Sequence, residues 1–93
     1  MTPETIRSKI IDVIKAYEVS RVILFGSRAE GTENNSSDVD LIVEFDHGVS
    51  LLFLSKLKCD LEDVLGLSVD VIHGPIEPTD MLEIGKTVEL YAA

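Results

Sequence analysis

The segment from Asp38 to Phe45 constrains the fold more than any other, because its residues alternate between two kinds. Every second residue, starting at Val39, is apolar, and a period of two residues is that of a β-strand. One face would carry Val39, Leu41, Val43 and Phe45, and the other Asp38, Asp40, Ile42 and Glu44. The sequence therefore predicts a half-buried strand with two aspartates side by side on its open face.

Two further segments predict strands. Arg21–Phe25 is short, apolar and rich in β-branched residues, and Gly26 ends it in a turn. Ser68–Ile72 alternates, so that Asp70 lies on the opposite face from its two valine neighbours. The apolar stretch Val88–Tyr91 is compatible with a last short strand.

Three segments predict helices. The first opens at Thr2-Pro3, a capping hydroxyl followed by a proline at the first helical position, and continues with isoleucines at helical spacing. The second is rich in leucine and runs from a capping Ser50 to Gly66, where a left-handed end is expected. The third covers Thr79–Gly85. This order of elements predicts an α/β (α+β) layer fold, a small mixed β-sheet with helices on one face and its polar face left open.

The length and charge of the chain narrow the classes of function. Its 93 residues allow a single domain, over residues 1–93. With 8 Lys and Arg against 17 Asp and Glu, the net charge is −9, which makes direct nucleic-acid binding through phosphates unexpected. The same charge suits metal cations or a basic partner protein, although a solvated acidic surface explains most counts of this kind.

The cellular setting predicted by the sequence is the cytoplasm, without a membrane. The apolar runs are far too short to span a bilayer, and the N-terminus lacks the apolar region of a signal peptide. The one cysteine, Cys59, cannot form an internal disulfide, and we interpret it as a small core residue because it lies in an apolar-periodic segment.

The turn at Gly26-Ser27 has the composition of an anion-binding loop. Glycine lets backbone N–H groups approach an anion closely, and a serine that opens a helix adds a hydroxyl donor. Arg28 could supply a nearby positive charge, or it could be a surface arginine that pairs with Glu30 or Glu33. Because Gly26 stands 12 residues before Asp38, a short loop joins this turn to the aspartates.

The paired aspartates call for a compensating charge. Hard Mg²⁺ or Mn²⁺ ions prefer carboxylate oxygens and commonly use one or two of them, with waters and substrate phosphates as further ligands. Asp70 would complete the cluster with Asp38 and Asp40 if the second and third strands are neighbours. Carboxylates that hold two metal ions can stabilise the attacking and leaving oxygens of a phosphoryl or nucleotidyl transfer.

Three segments carry a family resemblance: Leu24 to Gly31, Ser37 to Val43, and Val69-Asp70-Val71. They resemble the nucleotidyltransferase superfamily that includes DNA polymerase β. The resemblance is closest to the minimal nucleotidyltransferases, including the antitoxins that are paired with HEPN-family toxins, and it covers nearly the whole chain. Gly-Ser alone or Asp-X-Asp alone is a weak indication of the family. The two motifs together, at this spacing, between predicted strands and with a third aspartate, are a strong indication.

The resemblance implies a fold, a reaction and a role for each site residue. It implies the polymerase β-like fold, ATP as substrate, Mg²⁺ or Mn²⁺ as cofactor, and transfer of AMP to a tyrosine of a partner HEPN toxin, which is thereby silenced. The implied nucleotide-binding residues are Gly26, Ser27 and Arg28, and the implied metal-binding and catalytic residues are Asp38, Asp40 and Asp70.

Two observations keep alternatives open. Glu30 stands where relatives frequently carry a basic residue, and an acid there would not help to bind a triphosphate unless it faces solvent. The acidic surface also suits an antitoxin that acts mainly by binding and occlusion. Modification of the chain's own Tyr17 or Tyr91 is a third possibility, and His47 and His73 are interpreted as turn or surface residues.

Overall fold

The structure is a computed structural model, which describes residues 3–34, 37–75 and 85–93. Three α-helices are described, and a short 3₁₀ turn, Lys15–Tyr17, follows the first of them; the helices are α1 (Pro3–Ile14), α2 (Ser27–Glu30) and α3 (Leu51–Leu65). The described strands are β1 (Arg21–Phe25), β2 (Val39–Glu44), β3 (Val69–His73) and β4 (Val88–Ala92). The last short strand is therefore present, whereas residues 79–84 of the predicted third helix lie outside the described part of the chain.

The four strands form one mixed sheet in the order β3-β2-β1-β4. β1 is antiparallel to both β2 and β4, whereas β2 and β3 are parallel. A parallel pair needs a crossover connection, and α3 provides it. The prediction of a small mixed sheet is confirmed, and the second and third strands are neighbours, as the cluster of aspartates requires.

The core lies between one face of the sheet and the two long helices. Val22 of β1 and the odd-numbered residues of β2 point to this side, and they are almost completely buried. Isoleucines of α1 and leucines of α3 cover them at helical spacing. The main contributors are Ile6, Ile10, Ile14, Val22, Val39, Leu41, Val43, Leu57, Leu61, Leu65, Val69 and Leu90.

The opposite face of the sheet is less open than the sequence predicts. Ile23 and Ile42 are partners in the β1–β2 ladder on this face, and only 5% and 1% of their surfaces are exposed. Gly74 packs directly on this face, because an added Cβ would come within 2.8 Å of Cγ of Glu44 and 2.9 Å of Cγ2 of Ile42. The open part of this face is therefore the end where β2 and β3 begin.

Helix α3 begins and ends where the sequence predicts. One residue that was predicted to lie in the core, however, is on its exposed side. Oγ of Ser50 accepts a hydrogen bond from the backbone N–H of Phe53 (3.1 Å), and Gly66 ends the helix with a positive φ of 67°. The interpretation of Cys59 as a core residue was wrong, since Cys59 is exposed. It stands two residues after the buried Leu57, and two residues turn an α-helix by about 200°.

Within the described ranges, every helix is too short or too polar to cross a lipid bilayer.

Candidate active site

Gly26 joins β1 to α2 in a conformation that other residues rarely adopt. Its φ is 77° and its ψ is −157°, and its carbonyl accepts hydrogen bonds from the N–H groups of Ala29 (3.0 Å) and Glu30 (3.1 Å). Ser27 is the first residue of α2, a four-residue helix that was not among the three helices predicted from the sequence. The turn is thus held in place by the first bonds of the helix that follows it.

Asp40 lies directly against this turn. It is the ladder partner of Phe25, the residue before Gly26, so the two strands bring the turn and the carboxylate together. A Cβ on Gly26 would collide with Oδ2 of Asp40. The glycine is therefore needed for two reasons, the backbone angle and the space that the carboxylate occupies.

Asp40 also contacts the third predicted carboxylate. Asp40 and Asp70 are partners in the parallel β2–β3 ladder, and their side chains are hydrogen-bonded to each other. Partial burial raises the pKa of Asp40 most, followed by this hydrogen bond and by the charges of Asp70 and Asp38. Asp40 therefore retains its proton to a higher pH than a free aspartate does.

Asp38 is exposed and immediately precedes β2. Within residues 3–34, 37–75 and 85–93, no three acidic, histidine or cysteine side chains are close enough to form a ready metal site. The donor set nevertheless fits Mg²⁺ or Mn²⁺, since these ions use one or two carboxylates and take their other ligands from water and substrate phosphates. Asp40 and Asp70 form such a pair, and Asp38 is close enough to act electrostatically on Asp40.

Unlike the predicted carboxylates, Arg28 contacts the backbone of the loop that precedes β2. Its Nε and Nη2 donate hydrogen bonds to the backbone carbonyl of Ser37, at 3.2 and 2.9 Å. Among the described residues it forms no ion pair with Glu30 or Glu33. The contact with Ser37 could not be predicted from the sequence, because every residue has a backbone carbonyl and the residue type does not show which one accepts a hydrogen bond.

Glu30, the residue that departs from the family pattern, is exposed. Its Oε1 lies 3.3 Å from the position that a Cβ of Gly85 would occupy, so its side chain reaches the segment before β4.

The remaining titratable candidates lie apart from the carboxylates. His47 is exposed and pairs with Asp46 at 2.8 Å, and His73 ends β3 beside the ring of Phe45. Both are surface residues, as interpreted, although His73 belongs to a strand and not to a turn. Only 7% of Tyr17 is exposed, and its hydroxyl donates to the carboxylate of Asp60.

Residues 8–88 match the model of the family described as polymerase beta, nucleotidyltransferase. Because this match covers most of the chain, the protein belongs to that family of nucleotidyltransferase enzymes. It is similar to a Methanocaldococcus jannaschii protein named "Putative protein adenylyltransferase", with 44% identity over 79 residues. That alignment covers 84% of this chain and 85% of the relative.

Solved structures agree with the assignment to the minimal members of the family. One structure, described as a "putative minimal nucleotidyltransferase", is 31% identical with a TM-score of 0.75, and the match covers 95% of each chain. Another contains a tri-AMPylated Shewanella oneidensis HEPN toxin in complex with an MNT antitoxin. There the TM-score is 0.77 over 99% of this chain and 74% of that chain, and at 18% identity the likeness concerns the fold.

Proposed function

We propose that this protein is an antitoxin that transfers AMP from ATP to a hydroxyl, in particular a tyrosine hydroxyl, of a partner HEPN toxin. The observation that carries the proposal is the position of Asp40, whose carboxylate lies against the Gly26 turn on one side and bonds to Asp70 on the other. A triphosphate held at the turn would thus have its reacting phosphorus beside the carboxylates.

Each site residue has a role in this reaction. Gly26 and Ser27 bind the triphosphate, and Asp38 and Asp40, with Asp70, bind Mg²⁺ or Mn²⁺, which would neutralise the phosphate charges. The acceptor oxygen forms a bond to the α-phosphorus of ATP while the bond to pyrophosphate breaks. Asp70 is exposed and next to Asp40, so it can accept the proton of the acceptor hydroxyl.

A folded protein is the acceptor that best suits a domain of this size. The described residues form one sheet and one core, and Asp70 is exposed, so that a folded partner could present its hydroxyl there. The names of the relatives support the same choice, since one is called a protein adenylyltransferase and another is bound to an AMPylated toxin. An enzyme that uses ATP to modify such a partner would act in the cytoplasm.

Label transfer from ATP to the partner tests the enzymatic proposal. The purified protein is incubated with the toxin encoded beside it, radiolabelled ATP and Mg²⁺, and the toxin is analysed by gel and intact mass. We expect labelled toxin with the wild-type protein, and no label with Asp38→Asn, Asp40→Asn or added EDTA. Asp12→Asn is the matched control, because Asp12 is an exposed aspartate on α1. Equal labelling by Asp40→Asn would disprove the assigned site.

Neutralisation by occlusion is the second candidate function, and the net charge of −9 favours it. A toxin that binds RNA presents a basic face, to which an acidic protein can bind without any chemistry. Cells that express the toxin with the Asp38→Asn/Asp40→Asn double variant distinguish the two functions. Survival with an unlabelled toxin would show occlusion, whereas cell death despite complex formation would show that transfer is required.

A further inference from the structure

The loop between α2 and β2 carries Asp38, and the chain holds both peptide groups that flank this residue. On one side the carbonyl of Ser37 accepts two hydrogen bonds from Arg28. On the other side the N–H of Val39 donates to the carbonyl of Ser68 at 2.9 Å. The backbone of Asp38 is therefore fixed between a side chain of α2 and the start of β3.

Arg28 borders the helix-covered side of the sheet. It lines a small cavity of about 40 Å³ together with Ile6, Leu24 and Leu90. Leu24 is the ladder partner of Leu41, a fully buried residue of the inner face, whereas Asp40 and Asp70 are on the outer face. The cavity that Arg28 lines thus lies on the opposite side of the sheet from the paired carboxylates.

A half-buried acid lines the same cavity as Arg28. Glu33 lines the same cavity, and its Oε2 is buried without a hydrogen-bond partner among the described residues. A carboxylate and a guanidinium that share a partly buried cavity attract each other more strongly than they would in water.

We propose that Arg28 is a positioning residue, which fixes the backbone of Asp38 through the carbonyl of Ser37 and does not bind the triphosphate. The inference rests on the metal-binding role proposed for Asp38. The planar guanidinium offers two donors in a fixed arrangement to one carbonyl oxygen, and this contact is suited to holding a backbone group in one place. Lysine has the same charge but lacks that arrangement, so charge and positioning can be separated by substitution.

The test compares Arg28→Lys and Arg28→Met with the wild-type protein in two binding measurements. Mn²⁺ affinity is measured by calorimetry without nucleotide, and ATP affinity is measured in EDTA. We expect both variants to bind Mn²⁺ about tenfold more weakly, as for other residues that orient metal ligands. ATP binding in EDTA should stay within about twofold of wild type, since no phosphate contact is lost. Amide exchange of Ser37, Asp38 and Val39 should be faster in both metal-free variants.

Arg7→Met is the matched control, because Arg7 lines the same cavity without a hydrogen bond to Ser37 among the described residues. It should leave Mn²⁺ binding and loop exchange unchanged, and thermal melts confirm that each variant is folded. Weaker ATP binding in EDTA by Arg28→Met, restored by Arg28→Lys, would overturn the proposal in favour of phosphate binding. Unchanged Mn²⁺ affinity in both Arg28 variants would overturn it as well.

Asp38→Asn separates failure of this inference from failure of the proposed function. If Asp38→Asn weakens Mn²⁺ binding and the Arg28 variants do not, the positioning role alone is wrong. If Asp38→Asn binds Mn²⁺ as the wild-type protein does, the metal-binding role of Asp38 is wrong, and the inference that depends on it is overturned too.

Discussion

At the scale of single residues, Gly26 and Asp40 depend on each other. The glycine adopts a positive φ, and the carboxylate fills the space where its side chain would be. The sequence predicts both residues, since a strand ended by glycine and an alternating strand with aspartates are local patterns. The contact between them, and that of Arg28 with Ser37, could not be predicted, because each depends on the register of the assembled sheet and loop.

Gly26→Ala should reduce stability much more than Gly31→Ala. Both glycines have a φ of 77°, so both substitutions introduce the same backbone strain, of about 1 kcal/mol. An alanine at position 31 meets no atom within 4 Å, whereas an alanine at position 26 must displace Asp40. We expect a loss of about 3 kcal/mol for Gly26→Ala in urea unfolding. Equal losses for the two variants would contradict the collision, and Gly26→Ala in an Asp40→Ala background should recover part of the loss.

Asp40→Asn should stabilise the metal-free protein at neutral pH. The pKa of Asp40 is raised in the folded protein above its ordinary value of 3.8, so folding favours the protonated carboxyl. Its stabilising contribution is full below about pH 3.8 and is lost as the pH rises through the higher folded pKa.

Urea unfolding between pH 3 and pH 8 in EDTA measures this effect. The excess stability of Asp40→Asn over wild type should be greatest at neutral pH and should shrink as the pH falls. Asp12→Asn, at an exposed position on α1, provides the comparison. A difference that stays constant with pH would show that the raised pKa makes no contribution to stability.

At the scale of elements, α3 shows what a periodic pattern can and cannot predict. Its cap residues, Ser50 and Gly66, are local signals, and both helix ends are confirmed. Leucine spacing could not separate covered from uncovered positions, because the first turn of this helix carries leucines on more than one side. Leu57 is fully buried, whereas Leu52 is 82% exposed. The position of β4 beside β1 was not predicted either, because strand order depends on contacts that are distant in sequence.

Leu57→Ala and Leu52→Ala form a matched pair on this helix. The substitution at Leu57 removes buried side-chain volume from the centre of the core and should destabilise the protein by about 2–5 kcal/mol. The same change at Leu52 removes an exposed side chain and should change stability by no more than about 0.5 kcal/mol. Chemical denaturation of both variants measures the difference. A large loss at Leu52 would show that this side chain is covered in solution.

At the scale of the whole molecule, the net negative charge is the property that most affects the binding of cations. The net charge of −9 is present in the sequence, but the sequence does not show where it is concentrated. The structure places three carboxylates at one end of the sheet, where two of them share a hydrogen bond. That a single domain covers residues 1–93 stays a prediction, because parts of the chain lie outside the described residues.

Mn²⁺ should therefore raise the melting temperature of the whole protein. At ten times its dissociation constant, an ion that binds only the folded state adds about 1.4 kcal/mol, which corresponds to roughly 6 °C in a domain of this size. Differential scanning fluorimetry with and without Mn²⁺ measures the shift, and Asp40→Asn should abolish most of it. A similar shift in Asp40→Asn would place the responsive ions elsewhere on the acidic surface.

The contact between Gly26 and Asp40 limits the order in which the chain could lose its activity over evolutionary time. A side chain at position 26 must displace the carboxylate of Asp40 for as long as that aspartate is present, because the two would occupy one space. Divergent copies should thus lose the carboxylate first and the glycine later. A relative with a bulky residue at the position of Gly26 can be recognised as a degenerate copy from its sequence, before any assay is performed.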